Sequence, residues 1–360
     1  MSAPRHTEQS RRPKDATLRV LIVKLSSLGD VIQTLPVVHD LLANARPAAI
    51  DWVVEEAFAP LLGVVLGIDR VVPYAGRRWR REGFAAATRR ERRAFEADLR
   101  REAYDAVIDF QGLVKSALVA RRARLTREGH RYTYANGSEL CGYEWPVRYL
   151  VDRPIAMERR VHAVRRYRLL AARALGYSID DGRGDSAHET TPHVDWRFAP
   201  AAPTRDVLLA HGTTRSDNEW PEPCWADIGQ RLVAAGFRVV LPRSGPVESQ
   251  RVRRIASAVA GDFGAQGNAN VEILPTMALD ALARRLATCS GVIGVDSGLS
   301  HLAVALDLCH VQIFSQPRVW RAGPVGRAHQ IAVGGDAAPS AEAVWAAWQQ
   351  AFAARPPGGP

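Results

Sequence analysis

Several short segments of the chain pair groups that can move a proton with groups that can hold an anion. Ser26-Ser27-Leu28-Gly29-Asp30 offers a glycine for close backbone approach and a carboxylate beside it. Asp30 could take a proton from a substrate hydroxyl, and it equally fits a cap on a turn or helix. Lys24 lies just upstream and reads alternatively as an ordinary strand-end charge. In Asp109-Phe110-Gln111-Gly112-Leu113-Val114-Lys115-Ser116, Gln111 supplies donors and acceptors, Gly112 permits backbone approach, and Lys115 can reach an anion from a first helical turn. A plain turn with a solvated lysine is the commoner meaning of such a segment. Arg77-Arg78-Trp79-Arg80-Arg81 interleaves cations with an aromatic ring, which suits an acidic lipid surface or a multiply charged substrate. A nucleic-acid patch would look alike, and the acids from Glu82 to Glu102 make much of the following run a solvated helix.

The second half carries three more segments. His211-Gly212-Thr213-Thr214-Arg215 groups hydroxyls, amides and a cation suited to phosphate. Leu241 to Glu248 places Arg243 and Glu248 where a base or ribose could lie. Val295-Asp296-Ser297-Gly298-Leu299-Ser300-His301 puts free amides before a helix, a cradle for pyrophosphate. Each alone is also an ordinary turn; together, on successive strands, they point to a ligand-binding edge.

The elements that must position these groups alternate. Leu18 to Lys24 is a short run rich in branched residues, the pattern of a strand buried on both faces. Val31, Leu35, Val38 and Leu42 recur at helical spacing, with the regular helix expected to begin near Thr34 because of Pro36. Strands are expected at 50–54, 71–72 and 106–109, a helix over 113–123, then a second series of strands at 206–210, 237–241, 271–274, 291–295 and 311–314. This predicts an α/β fold of two doubly wound, Rossmann-like domains over 18–180 and 206–354, facing a central cleft. Residues 181–205 are expected to be the linker, with loose tails at 1–17 and 355–360.

The 360 residues suffice for two cores. With 47% hydrophobic and 24% charged residues, the body is globular. The longest apolar stretch, Phe58 to Ile68, is too short to cross a bilayer, and the polar start does not read as a secretory signal. Four scattered cysteines fit reduced thiols in a cytosol. A net charge of +10 favours an anionic partner without naming it. Only Lys14, Lys24 and Lys115 are lysines, so those within motifs stand out against the arginines. Neither G-x-G-x-x-G after the first strand nor G-x-x-x-x-G-K-[ST] occurs, which argues against dinucleotide and P-loop enzymes. Metal-ligand spacing is also absent, so no metal is expected.

Taken together, L-I-V-K-L-S-S-L-G-D-V, D-W-V-V-E-E, R-R-W-R-R, D-F-Q-G-L-V-K-S, H-G-T-T-R and V-D-S-G-L-S-H resemble the lipopolysaccharide heptosyltransferase I family from about Leu18 to Phe314. The resemblance implies a GT-B fold and inverting transfer of L-glycero-D-manno-heptose from ADP-heptose to the inner Kdo of Kdo-modified lipid A. It also implies no cofactor, no nucleic acid, and a peripheral place at the cytoplasmic face of the inner membrane. Asp30 would be the general base. Thr213, Thr214, Asp296, Ser297, Gly298 and His301 would surround the donor pyrophosphate and sugar, with Glu248 and Met277 near the adenosine. Lys24, Ser27, Gly29, Arg77, Arg78, Arg80, Gln111, Gly112 and Lys115 would serve the acceptor side. One departure stands out: where relatives usually carry a lysine after T-T-R, this chain has Asn218. Arg243 or Arg215 is expected to restore that charge. The alternatives are a later-step ADP-heptose transferase and a non-catalytic relative that binds nucleotide or anionic lipid.

Overall fold

The computed structural model describes residues 17–45, 48–83, 85–179, 193–198, 204–261 and 269–355. The first half builds a sheet from β1 (Leu18–Val23), β2 (Ala48–Glu55), β3 (Arg70–Tyr74), β4 (Ala103–Asp109), β5 (Arg124–Tyr134) and β6 (Arg153–Ile155), in the order β3-β2-β1-β4-β5-β6. The second half repeats the design with β7 (Asp206–Ala210), β8 (Arg238–Leu241), β9 (Val271–Ile273), β10 (Gly291–Val295), β11 (His310–Phe314) and β12 (Gln330–Gly334), ordered β12-β11-β10-β7-β8-β9. Every pairing in both sheets is parallel. Both are therefore doubly wound, with the strand order reversing at β1/β4 and at β7/β10. Ligands of such sheets bind beyond the carboxyl ends of the strands at that reversal.

The helix after β1 starts earlier than its proline suggests. It runs Leu28–Thr34, and Pro36 opens a second helix, Pro36–Asn44. Asp30 reaches back to the N-cap, its Oδ2 accepting from Ser27 N–H and Ser27 Oγ–H, which ties down the helix start. Pro36 sits at a helix start, where its missing N–H costs nothing. Asp30 is thus fixed in the first turn of a helix pointing into the cleft. β5, β6, β12 and the helix Ala163–Leu175 escaped sequence reading. β5 is mostly half-buried or exposed and carries Arg124, Arg127, Glu128 and Arg131, so its composition hides its pairing.

Part of the expected linker is well placed: Arg197 N–H donates to Val64 O at 2.8 Å and Leu66 N–H to Asp195 O at 2.8 Å. Trp196 Nε1 donates to Ala305 O of the second half at 3.2 Å. Residues 180–192 and 199–203, and the expected tails apart from Thr17 and Arg355, lie outside the described residues. One apolar cluster runs from Ile22 and Ile32 to Leu302 and Leu306, so the two halves share an interior beneath the cleft. Among the described residues no helix is long and apolar enough to cross a membrane.

Candidate active site

A cavity of about 730 Å³ opens between the two reversal points. From the first half it is lined by Ser27, Leu28, Gly29, Asp30 and Gln33. All the residues expected at a donor line its other wall: Thr213, Thr214, Arg215, Asn218, Arg243, Glu248, Met277, Asp296, Ser297, Gly298 and His301. The walls meet where the Leu28–Thr34 helix packs on the Gly298–Ala305 helix. A Cβ on Gly29 would stand 2.8 Å from the His301 ring, and one on Gly298 would stand 2.7 Å from Leu28. Only glycine lets the two helix starts approach this closely.

Asp30 is the carboxylate at the seam, with its side chain 26% exposed. Its Oδ2 accepts from Ser27 N–H at 3.2 Å and Ser27 Oγ–H at 2.8 Å, and its Oδ1 accepts from the Tyr167 hydroxyl at 2.9 Å. Lys24 Nζ and an Arg321 nitrogen stand 4.0 and 3.8 Å from Oδ1. Desolvation pushes the carboxyl up, but Lys24, the Ser27 hydrogen bonds and Arg321 outweigh it and hold the group well below the usual carboxylate range. Asp30 is therefore ionised throughout the neutral range and can receive a proton.

Lys24 lies behind the carboxylate rather than in the cavity. It is buried, donates to Phe110 O at 3.2 Å and to the Tyr167 hydroxyl at 3.1 Å, and sits 4.6 Å from the Tyr167 ring centre. The Tyr167 hydroxyl thus accepts from Lys24 and donates to Asp30. Burial pulls the Lys24 ammonium down to about 8, with the Asp30 charge opposing that fall. Because its folded value lies below the ordinary 10.5, the unfolded chain binds more protons between those values. This group's burial penalty is full at neutral pH and is relieved as pH rises through that window. Activity should move the opposite way: kcat/KM is expected to fall above pH of about 8 as Asp30 loses its counter-charge. A pH–rate profile of wild type beside Lys24→Met checks this; the variant should be slower and lack that alkaline limb.

The other residues expected at an acceptor are dispersed along the carboxyl edge of the first sheet, outside the cavity. Gln111 Oε1 accepts from Leu25 and Ser26 N–H at 3.0 and 3.1 Å, fixing the loop that carries Asp30. Gly112, at φ +71°, takes a left-handed turn that favours glycine. Asp109 accepts from Gln111 N–H, Gly112 N–H and Ser116 Oγ–H, and burial pushes it up to about 6. Lys115 and Arg77 lie near the buried Glu55, whose carboxyl is raised by desolvation despite the opposing pull of those two cations. Arg78 is committed to ion pairs with Glu56, Glu82 and Glu91 at 3.0, 3.5 and 2.8 Å. Arg80 lines a separate recess with Trp79 and Phe95.

The donor wall is held by a polar network. Asn218 Nδ2 donates to Asp296 O at 3.1 Å, and Asn218 Oδ1 accepts from Arg318 at 2.9 Å. Arg215 instead pairs with Asp217, and Arg243 Nε donates to Leu274 O. The cation in contact with Asn218 is Arg318, which the sequence reading did not weigh; it too pairs with Asp217, at 2.6 Å, and it does not line the cavity as Arg215 and Arg243 do. Asp296 meets His301 Nε2 at 3.2 Å. Burial raises the Asp296 carboxyl, and His301, Arg321 and Arg318 reverse this to a net lowering. Ser297 caps the Gly298–Ala305 helix, and its Oγ is buried without a protein partner. A buried hydroxyl beside helix amides suits an anionic ligand oxygen. Glu248 accepts from Ser244 and folds over Gly212, whose added Cβ would collide with its carboxylate.

Four groups near Asp30 were missed: Tyr167, Arg166, Arg321 and Cys141. Arg166 is buried with its guanidinium 4.0 Å from the Tyr134 ring centre. Cys141 lies close to both arginines. The signal available was the pattern Ala163, Tyr167, Leu170, Ala171, one helical face carrying a tyrosine beside an arginine.

The glycosyltransferase family 9 (heptosyltransferase) profile matches residues 92–344. Lipopolysaccharide heptosyltransferase 1 of Escherichia coli K12 is 40% identical over 301 residues, covering 82% of this chain and 88% of that protein. The Pseudomonas aeruginosa protein of that name is 35% identical over 325 residues, covering 89% and 84%. Among solved structures, the E. coli heptosyltransferase WaaC with ADP superimposes with a TM-score of 0.76 at 36% identity, over 93% of this chain and 100% of that one. Two facing doubly wound sheets, a cleft between their reversal points, and these similarities converge: the chain belongs to glycosyltransferase family 9, the heptosyltransferases.

Proposed function

We propose that this enzyme transfers heptose from ADP-heptose to the inner Kdo of Kdo-modified lipid A, with inversion. The observation that carries the reading is an ionised Asp30 facing a wall of amides, hydroxyls and cations across one cavity. The acceptor hydroxyl oxygen attacks the anomeric carbon, its proton passes to Asp30, and the bond to the ADP oxygen breaks on the opposite face. Asp30 is a weak base because Lys24, Ser27 and Arg321 stabilise its charge, so proton transfer trails bond breaking. The carboxylate meanwhile stabilises the positive charge growing on the sugar. Ser297 Oγ, the amides of the Gly298–Ala305 helix, Thr213, Thr214 and Arg321 meet the leaving diphosphate. Glu248 and Met277 flank the adenosine. Arg215 or Arg243, both lining the cavity, supplies the charge whose loss at Asn218 the family resemblance implies. The first-step assignment is favoured by identity, 35–40% to four relatives named heptosyltransferase 1 against 23% to E. coli heptosyltransferase 2, although the Campylobacter coli protein named heptosyltransferase 1 is 22% identical. Offered ADP-heptose with Kdo-modified lipid A or with its heptosylated product, the enzyme should extend only the former. Extension only of the heptosylated acceptor means a later step.

The acceptor carries acyl chains, and the reading includes peripheral docking on an acidic membrane. Trp145 and Tyr149 are 67% and 64% exposed, Leu140 54%. Arg148 stacks its guanidinium 4.8 Å from the Tyr149 ring centre. This turn is fastened to the Gly112 loop by Glu144 N–H to Gly112 O at 3.0 Å, so the patch adjoins the acceptor edge. Removing even half an aromatic side chain from water is worth about 2 kcal/mol. The double variant Trp145→Ser, Tyr149→Ser should therefore bind phosphatidylglycerol-containing vesicles at least about tenfold more weakly, as read by cosedimentation. Transfer to a deacylated, water-soluble acceptor should not change. Equal vesicle binding by variant and wild type would remove this surface from the account.

A further inference from the structure

His39, His193 and Asp195 converge away from the cavity. His39 belongs to the exposed side of the Pro36–Asn44 helix, while His193 and Asp195 lie on the chain segment that returns from the linker. His39 Nδ1 stands 3.1 Å from Asp195 Oδ2, and His193 Nε2 stands 2.9 Å from Asp195 Oδ1. The two imidazoles meet edge to face with ring centres 5.1 Å apart, and one ligand atom from each of the three residues lies within 4.8 Å of the others.

We propose that His39, His193 and Asp195 bind a divalent transition-metal ion, zinc foremost, which clips the returning segment to the Pro36–Asn44 helix. Two imidazoles and one carboxylate are borderline ligands that favour zinc over magnesium or calcium. Donors around a tetrahedral zinc at about 2.0–2.1 Å stand roughly 3.4 Å from one another. The two histidine–aspartate separations are already within half an ångström of that spacing, though to different carboxylate oxygens, and the two imidazole nitrogens, within 4.8 Å of each other, must close on the ion. All three side chains are about half exposed, which leaves room for water in the fourth position. A neutral imidazole moves its proton to the remote ring nitrogen as it ligates: Nε2 in His39, Nδ1 in His193. No ligand spacing betrays the site, because position 39 meets positions 193 and 195 only through the fold.

The backbone already holds the segment in place through Leu66 to Asp195 and Arg197 to Val64. Val194 and Trp196 of the same segment line a second cavity of about 270 Å³ between the halves, with His162 and His301. An ion at this corner therefore stiffens the connection on which movement of one half against the other depends. It takes no part in transfer.

The test uses the full chain, stripped with chelator and titrated calorimetrically with zinc chloride, with thermal melting recorded in parallel. Wild type should bind one ion per chain and melt at a higher temperature with one equivalent present. His39→Gln, a change on an exposed helix face, and Asp195→Asn should each weaken binding at least tenfold and abolish the shift, while ADP binding is retained. No zinc uptake by wild type overturns the proposal and leaves two histidine–aspartate ion pairs. Zinc bound equally well by wild type and His39→Gln also overturns it, because the ion then sits elsewhere.

Discussion

Asp30→Asn is expected to lower kcat about 10³-fold, the scale of a lost general base, while the affinity for ADP-heptose is retained. The amide keeps the size of the side chain and its one oxygen can still accept from Ser27, so the helix start survives, while its nitrogen replaces the oxygen that accepts from Tyr167. It cannot take the proton of the attacking hydroxyl or balance positive charge on the sugar. Asp30→Ala should be equally inactive but less stable. Both variants strip the counter-charge from a buried lysine 4.0 Å away, and breaking one partner out of a buried pair costs about 3–5 kcal/mol; the alanine also loses the Ser27 hydrogen bonds that hold the helix start. Asp30 is a quarter exposed, so the lower end of that range or less applies. Near-wild-type turnover in a folded Asp30→Asn protein would show that another group receives the proton.

Arg321→Ala is expected to lower kcat by about 10²-fold, in the range for one lost electrostatic donor. Arg321 belongs to the second half yet lies 3.8 Å from Asp30, and it lines the cavity. Its Nε is buried without a partner, an orphan donor where a diphosphate oxygen would sit. The same substitution removes one of the charges that depress Asp30, so the Asp30 carboxyl should rise toward its ordinary value. The acid limb of the pH–rate profile should then move upward relative to wild type. A structural role alone would lower stability without moving that limb. An unmoved limb with unchanged kcat would detach Arg321 from both the leaving group and the base.

The sequence made legible what is local to a strand, its turn and the next helix. Ser27, Gly29 and Asp30 follow β1, and Asp296 to His301 follow β10, so each set is contiguous and its place at the sheet edge follows from strand periodicity. Tyr167 and Arg321 could not be read in this way. They reach Asp30 from positions more than a hundred residues onward, through packing of the Ala163–Leu175 helix and of the opposite half. The arginine run was legible as charge but only partly as partnership: Arg78 pairs with Glu82 one turn on in its own helix, and with Glu56 and Glu91, which only the fold brings near it. Asn218 stood out through the family resemblance, but its contact with Arg318 did not, because a hundred residues separate the two. Pro36 misled the helix boundary because it could as easily end one helix as open the next, and it does both.

The most direct test of the central claim is the anomeric outcome of one turnover. ADP-heptose and Kdo-modified lipid A are incubated with wild-type enzyme, and the product is weighed by mass spectrometry and its new linkage assigned by NMR. A single added heptose, with anomeric configuration opposite to that of the donor, is the predicted result: one displacement with Asp30 as base. A product that retains the donor configuration would contradict the account, since it requires a second displacement and a covalent sugar intermediate for which Asp30 is not arranged.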